Sequence, residues 1–305
     1  MTSNQKESRG IGLRRLLKKS IAETKKNDPL RMAGATAFFT TFALPPILII
    51  LFQLFSIFLS RRFVGVEIMK ILSRTFGKLS ADQIRITTRG FRNVTHNWFT
   101  TLIGFLFLIF VATTLFRVIK NTLNDIWRIG IKDKPGFTFY LFHRAKSFAV
   151  ILLAGILFLA AIFLDGFQVL AGDSLNEIFH GGGRFFKGVM NEISSAVLIT
   201  IWFILLFRFL ADGRPSWRVA IAGGCLTGVL FSIGKAVLSF LVQNSNIGNI
   251  YGTSGSIVLI FLFLFYSSFI LYFGAGFIRA YAASSKQPIK PLPHAFHYEL
   301  QMIEE

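Results

Sequence analysis

Ile257-Val-Leu-Ile-Phe-Leu-Phe-Leu-Phe-Tyr-Ser-Ser-Phe-Ile-Leu-Tyr-Phe-Gly-Ala-Gly-Phe-Ile278 decides the fold, because it runs for twenty-two residues without a charge. A hydrocarbon core of about 30 Å needs roughly 20 such residues in a helix. Five more stretches of the same kind are Met32–Leu59, Trp98–Val118, Phe148–Ala171, Ile193–Leu210 and Trp217–Val242. The fold class expected is an all-α integral membrane protein, a bundle of six transmembrane helices.

Composition agrees. Hydrophobic residues make up 53% of the 305 and charged residues 16%, where a soluble domain carries about 25% charged. Three regions follow: a basic N-terminal segment 1–30, a six-helix domain 31–283 and a C-terminal tail 284–305. The basic N-terminus runs too long, without a small-residue cleavage site, to read as a signal peptide, so the first span is expected to stay as an anchor. The single Cys225 rules out an internal disulfide and a multi-thiolate metal site.

The net charge of +18 sits beside the spans. It therefore points to anionic lipid headgroups and to topology, not to nucleic acid. Nine Lys and Arg precede the first span, seven fall in Arg117–Lys146, three in Arg208–Arg218 and three from Arg279 onward. The alternate connections hold ten, eight of them in Arg61–Arg92. The balance places both termini in the cytoplasm. The basic segment Arg61–Asn97 is the exception and is expected to fold as an external helical hairpin. Val64–Phe76 reads as amphipathic, and Ser80-Ala-Asp-Gln83 fits a capping box.

Polar residues at membrane depth are the functional candidates. Gly224, Gly228, Ser232, Lys235, Ser239 and Gln243 share one face of the fifth span. Gly224-Cys-Leu-Thr-Gly228 is a GxxxG helix-packing pattern. Lys235 lies seventeen residues past Arg218, about 26 Å along a helix, near the outer surface. Three fates are open to it: snorkelling, lining a cavity, or pairing, with Asp165 the expected partner.

In the first span Pro45-Pro46 is expected to break or kink the helix. Thr40 before the pair and Gln53 after it are further cavity-lining candidates. Beyond the second span Thr114, Arg117, Asn121, Asn124 and Arg128 are read as one helical face, with Trp127 near the interface. Gly274-Ala-Gly276 offers a small packing face. Tyr251-Gly-Thr-Ser-Gly-Ser256 either caps the sixth span or cradles an anion. Leu13, Leu16, Leu17 and Ile21 with interleaved bases suit an interfacial helix, Gly181-Gly-Gly183 a flexible external connection, and Gln287–Pro293 an extended tail.

Three stretches together resemble the YihY/BrkB family of bacterial inner-membrane proteins, formerly called ribonuclease BN. They are Ala35-Thr-Ala-Phe-Phe-Thr-Thr-Phe-Ala-Leu-Pro45, Asn121-Thr-Leu-Asn124-Asp-Ile-Trp127, and Tyr251-Gly-Thr-Ser-Gly-Ser256 leading into Leu271-Tyr-Phe-Gly-Ala275. The resemblance covers roughly residues 30 to 283 and implies six spans with cytoplasmic termini. The family pattern usually has a tyrosine in the pair where Phe38-Phe39 stands, and often an acidic residue after Gly-Ala, where this chain has Gly276. An ion-coupled role for that position is not expected here.

Three functions compete. A transporter or exporter of a small polar solute or lipid would use the polar faces of the first and fifth spans. The alternative is a non-transporting scaffold for envelope organisation. A membrane-bound ribonuclease fits least, because hydrolysis calls for clustered carboxylates or histidines holding metal. His96, His143, His180, His294 and His297 are scattered, and the fifteen acids form no paired motif. No catalytic residue, cofactor or metal is expected. The partners expected are membrane lipids and an unknown solute, and a homo-oligomer is possible.

Overall fold

The computed structural model describes residues 13–58, 60–76, 81–86, 98–132, helical positions scattered between 149 and 164, 182–244 and 255–299. Seven long helices stand out. They are α1 (Leu13–Lys25), α2 (Pro29–Phe58), α3 (Arg61–Phe76), α4 (Trp98–Trp127), α5 (Gly182–Phe209), α6 (Trp217–Asn244) and α7 (Gly255–Ser284). Among the described residues, four stretches are long and apolar enough to cross a membrane: Pro29–Ile49, Val189–Phe209, Trp217–Leu238 and Ile257–Ser284. The chain is a helical membrane protein.

α7 is the helix the others surround. It packs against α2, α1, α6 and α4 and buries Phe263, Leu264, Leu271, Tyr272, Ala275 and Ile278. A helix apolar on every side belongs in the middle of a bundle. α1 crosses its far end, where Leu16 packs on Phe277 and Ala280. The expected interfacial helix is thus also a packing element. α3 lies on α2 and touches α6 and α7, burying Val64, Ile68 and Leu72 at a spacing of four.

Several expectations are corrected. Of the break or kink expected at Pro45-Pro46, the break does not occur, since α2 runs as one helix across the pair. Each proline removes one intrahelical donor, and packing against α4 and α7 holds the helix together around the gap. α4 runs on to Trp127, as the helical face beyond the second span leads one to expect, whereas α5 starts at Gly182, well before Ile193, so Gly182 and Gly183 lie within helix and not in a flexible connection. The third expected span is helical at its described positions.

The tail is paired and not merely extended. Lys290–Pro291 (β3) lies antiparallel to Gly213–Arg214 (β2), and Ala295–His297 (β4) to Ile129–Ile131 (β1). These short ribbons tie the end of α4 and the α5–α6 turn to the chain beyond α7. Gly213 is required there, because a Cβ would collide with the side chains of Ile129 and Ile289.

Candidate functional site: a polar recess and a buried charged clasp

The stripe on α6 faces α5 along its described length. The two helices run antiparallel. A Cβ at Gly224 would overlap the Ile204 side chain and meet its backbone nitrogen at 3.0 Å, and one at Gly228 would overlap Thr200. Two turns further on, Ala196 and Ser195 replace those bulkier neighbours, and the contact opens. The recess there, about 290 Å³, is lined by Ser232 and Lys235 of α6 and by Glu192, Ser195 and Ile199 of α5. Lys235 Nζ stands 3.9 Å from Glu192 Oε2. Glu192 is 74% exposed, so the pair contributes little to stability.

Other expected members of the site lie elsewhere. Thr40 donates to the Thr36 carbonyl within its own helix at 2.6 Å. Pro45 is half-buried in α2, and neither lines the recess. The shared wet space expected between the first and fifth spans is therefore, among the described residues, a pocket of α5 and α6 alone. The side chains of Pro46, Gln53, Ser239 and Gln243 lie outside the described residues, as do Asp165 and the segment Tyr251–Ser254. Gly274 sits against Thr227 of α6, and Gly276 against Thr24 and the Ser20 carbonyl of α1. A Cβ at 276 would overlap the Thr24 hydroxyl of α1.

At the opposite end of the bundle, the structure holds a charged cluster that the sequence did not single out. Asp212, in the turn between α5 and α6, is fully buried. Its Oδ2 lies 3.0 Å from Lys120 Nζ and accepts from Asn124 Nδ2 at 2.8 Å. Its Oδ1 is 3.2 Å from His294 Nε2. The Asp212 backbone nitrogen donates to Asn124 Oδ1 at 2.9 Å, and its carbonyl accepts from the Leu292 nitrogen at 2.9 Å. Burial pushes this carboxyl upward. The Lys120 ammonium, with Asn124 and His294, outweighs it and holds the group down at about 2. The carboxylate so held clasps three segments together.

The helical face that points inward here is Lys120, Leu123, Asn124 and Trp127, all buried, whereas Arg117 and Asn121 are exposed. The expected single polar face is thereby split. Trp127 is buried, and its Nε1 donates to the Ala275 carbonyl at 3.1 Å. Arg279 donates to the Ile126 carbonyl at 2.9 Å and pairs with Glu23 at 3.1 Å, joining α1, α4 and α7. Deeper in, the Tyr272 hydroxyl bonds those of Thr36 and Thr122. Residues of all three motif stretches thus meet around α7. The available sequence signal for Asp212 was its isolation, a lone acid among Arg208, Arg214 and Arg218.

Apolar helices and a charged clasp sealed among their ends define the class, a helical membrane protein. The chain belongs to the family described as Virulence factor BrkB, which matches residues 20–297. A UPF0761 membrane protein of Teredinibacter turnerae is 27% identical over 284 residues, covering 92% of this chain and 63% of that protein. One of Pseudomonas aeruginosa is 25% identical over 267 residues, covering 86% and 61%. One of Pseudoalteromonas translucida is 25% identical over 244 residues, covering 80% and 78%. The chain thus spans about three-fifths of the length of the first two. No solved structure matches it.

Proposed function

We propose that this chain is a multi-pass inner-membrane transporter that exports a small polar solute or lipid, with six spans and both termini in the cytoplasm. One observation carries the reading. The polar stripe of α6 opens onto a recess that brings Lys235, Ser232, Ser195 and Glu192 together, where a bilayer-facing helix would present hydrocarbon. The Lys and Arg bias supports the orientation, with Arg61–Asn97 as an external helical hairpin. The basic residues beside the spans contact anionic headgroups, and the protein acts without catalysis. A scaffold that organises the envelope is the second reading, favoured by the close contacts at Gly224 and Gly228.

The test is flux in proteoliposomes loaded singly with labelled amino acids, sugars, polyamines or a headgroup-labelled phospholipid. Wild-type protein is expected to move at least one, and Lys235→Met to slow it at least tenfold while inserting normally. A wild type that moves none of them, or an unchanged rate in K235M, contradicts the proposal.

A further inference from the structure

We infer that the elbow between α1 and α2 is a binding site for one anionic phospholipid. This rests on the chain being a membrane protein, not on transport. α1 ends at Lys25, and α2 begins at Pro29. The cleft at this joint, about 660 Å³, has Lys25 and Arg31 on its polar side and Ile21, Leu30, Phe269 and Phe273 on its apolar side. That volume falls within the range of small-ligand pockets. It accommodates a phosphoglycerol headgroup and the first methylenes of an acyl chain.

The chemistry of the walls selects the occupant. Ile21 is 46% exposed and Leu30 63%, so neither is covered by the described residues. A free phosphate has no use for those walls, and a neutral lipid has none for the two cations. An anionic lipid uses both, as at other interfacial helices. The surroundings reinforce the sign: α1 and the elbow carry Arg14, Arg15, Lys18, Lys19, Lys25 and Lys26 against two acids, Glu23 and Asp28. The first turn of α2 opens into the same cleft, and its dipole favours an anion. Asp28 pairs with Arg31 at 3.4 Å, but the two side chains are 71% and 78% exposed. A pair that exposed is weak enough to yield to a lipid phosphate.

The test is a lipid titration of the full chain in mild detergent, followed by native mass spectrometry. Dioleoylphosphatidylglycerol, dioleoylphosphatidylcholine and inorganic phosphate are the probes. One phosphatidylglycerol is expected to be retained, at least tenfold more tightly than phosphatidylcholine. Lys25→Gln with Arg31→Gln, or Leu30→Glu alone, is expected to weaken it at least tenfold. Lys18→Gln with Lys19→Gln, which removes the same charge from exposed positions outside the cleft, is expected to change it less than twofold. Equal losses in the two double variants, equal retention of phosphatidylcholine, or displacement of the lipid by phosphate alone would overturn the assignment.

Discussion

Asp212→Asn is expected to cost about 3–5 kcal/mol of stability, because it strands the Lys120 ammonium in a buried site without its counter-charge. Thermal melting in mild detergent reads the loss. Lys120→Met should cost a similar amount by stranding the carboxylate instead. The double variant Lys120→Met with Asp212→Leu should be less damaged than either single one, since hydrophobic residues of similar volume often replace a buried pair at little cost. A double variant as unstable as the sum of the singles would show that the packing of this corner matters more than its charge.

Acid provides an independent reading of the same pair. The folded carboxyl sits at about 2, below its ordinary value near 3.9. Its contribution is therefore complete above about pH 4 and is lost as pH falls through 2. The size is about 2.6 kcal/mol, from 1.36 kcal/mol per unit of displacement. Over that window the wild type should lose stability relative to Asp212→Asn, which has no carboxyl to titrate at this position. Parallel pH profiles would contradict the pairing.

Gly224→Leu is expected to separate α5 from α6 at a cost of about 1–3 kcal/mol or more. The obstacle is the backbone of Ile204, at 3.0 and 3.2 Å from an added Cβ, and backbone cannot rotate aside as a side chain can. Gly34→Ala is the control. Its nearest neighbour is Phe265 Cε2 at 3.9 Å, so that site should accept a methyl without loss. Equal melting temperatures for the two variants would mean that the helices do not meet at Gly224.

The helices were legible because a long apolar run has few alternatives in a membrane. The stripe from Gly224 to Lys235 was legible because its spacing of three and four is a helical period. Which helix it faces was not, because pairing partners depend on tertiary packing that no single segment encodes. Asp212 was missed for a similar reason. An acid in a basic loop looks solvated until Lys120, Asn124 and His294 arrive from distant parts of the chain. The tail strands were hidden by Pro291 and Pro293, since proline argues against strands except at edges. These two-residue and three-residue ribbons are all edge. The partner of Trp127 was hidden as those of Asp212 were, since its indole nitrogen finds the Ala275 carbonyl on α7.

The reading of the recess as a solute site depends most on its being wet. Ser232→Cys, placed in a Cys225→Ser background, tests this with a charged, membrane-impermeant methanethiosulfonate beside the lipid-soluble N-ethylmaleimide. Modification of residue 232 by the charged reagent is the predicted result. Reaction with N-ethylmaleimide alone would place that side chain against lipid or in a dry helix contact, and would contradict the account.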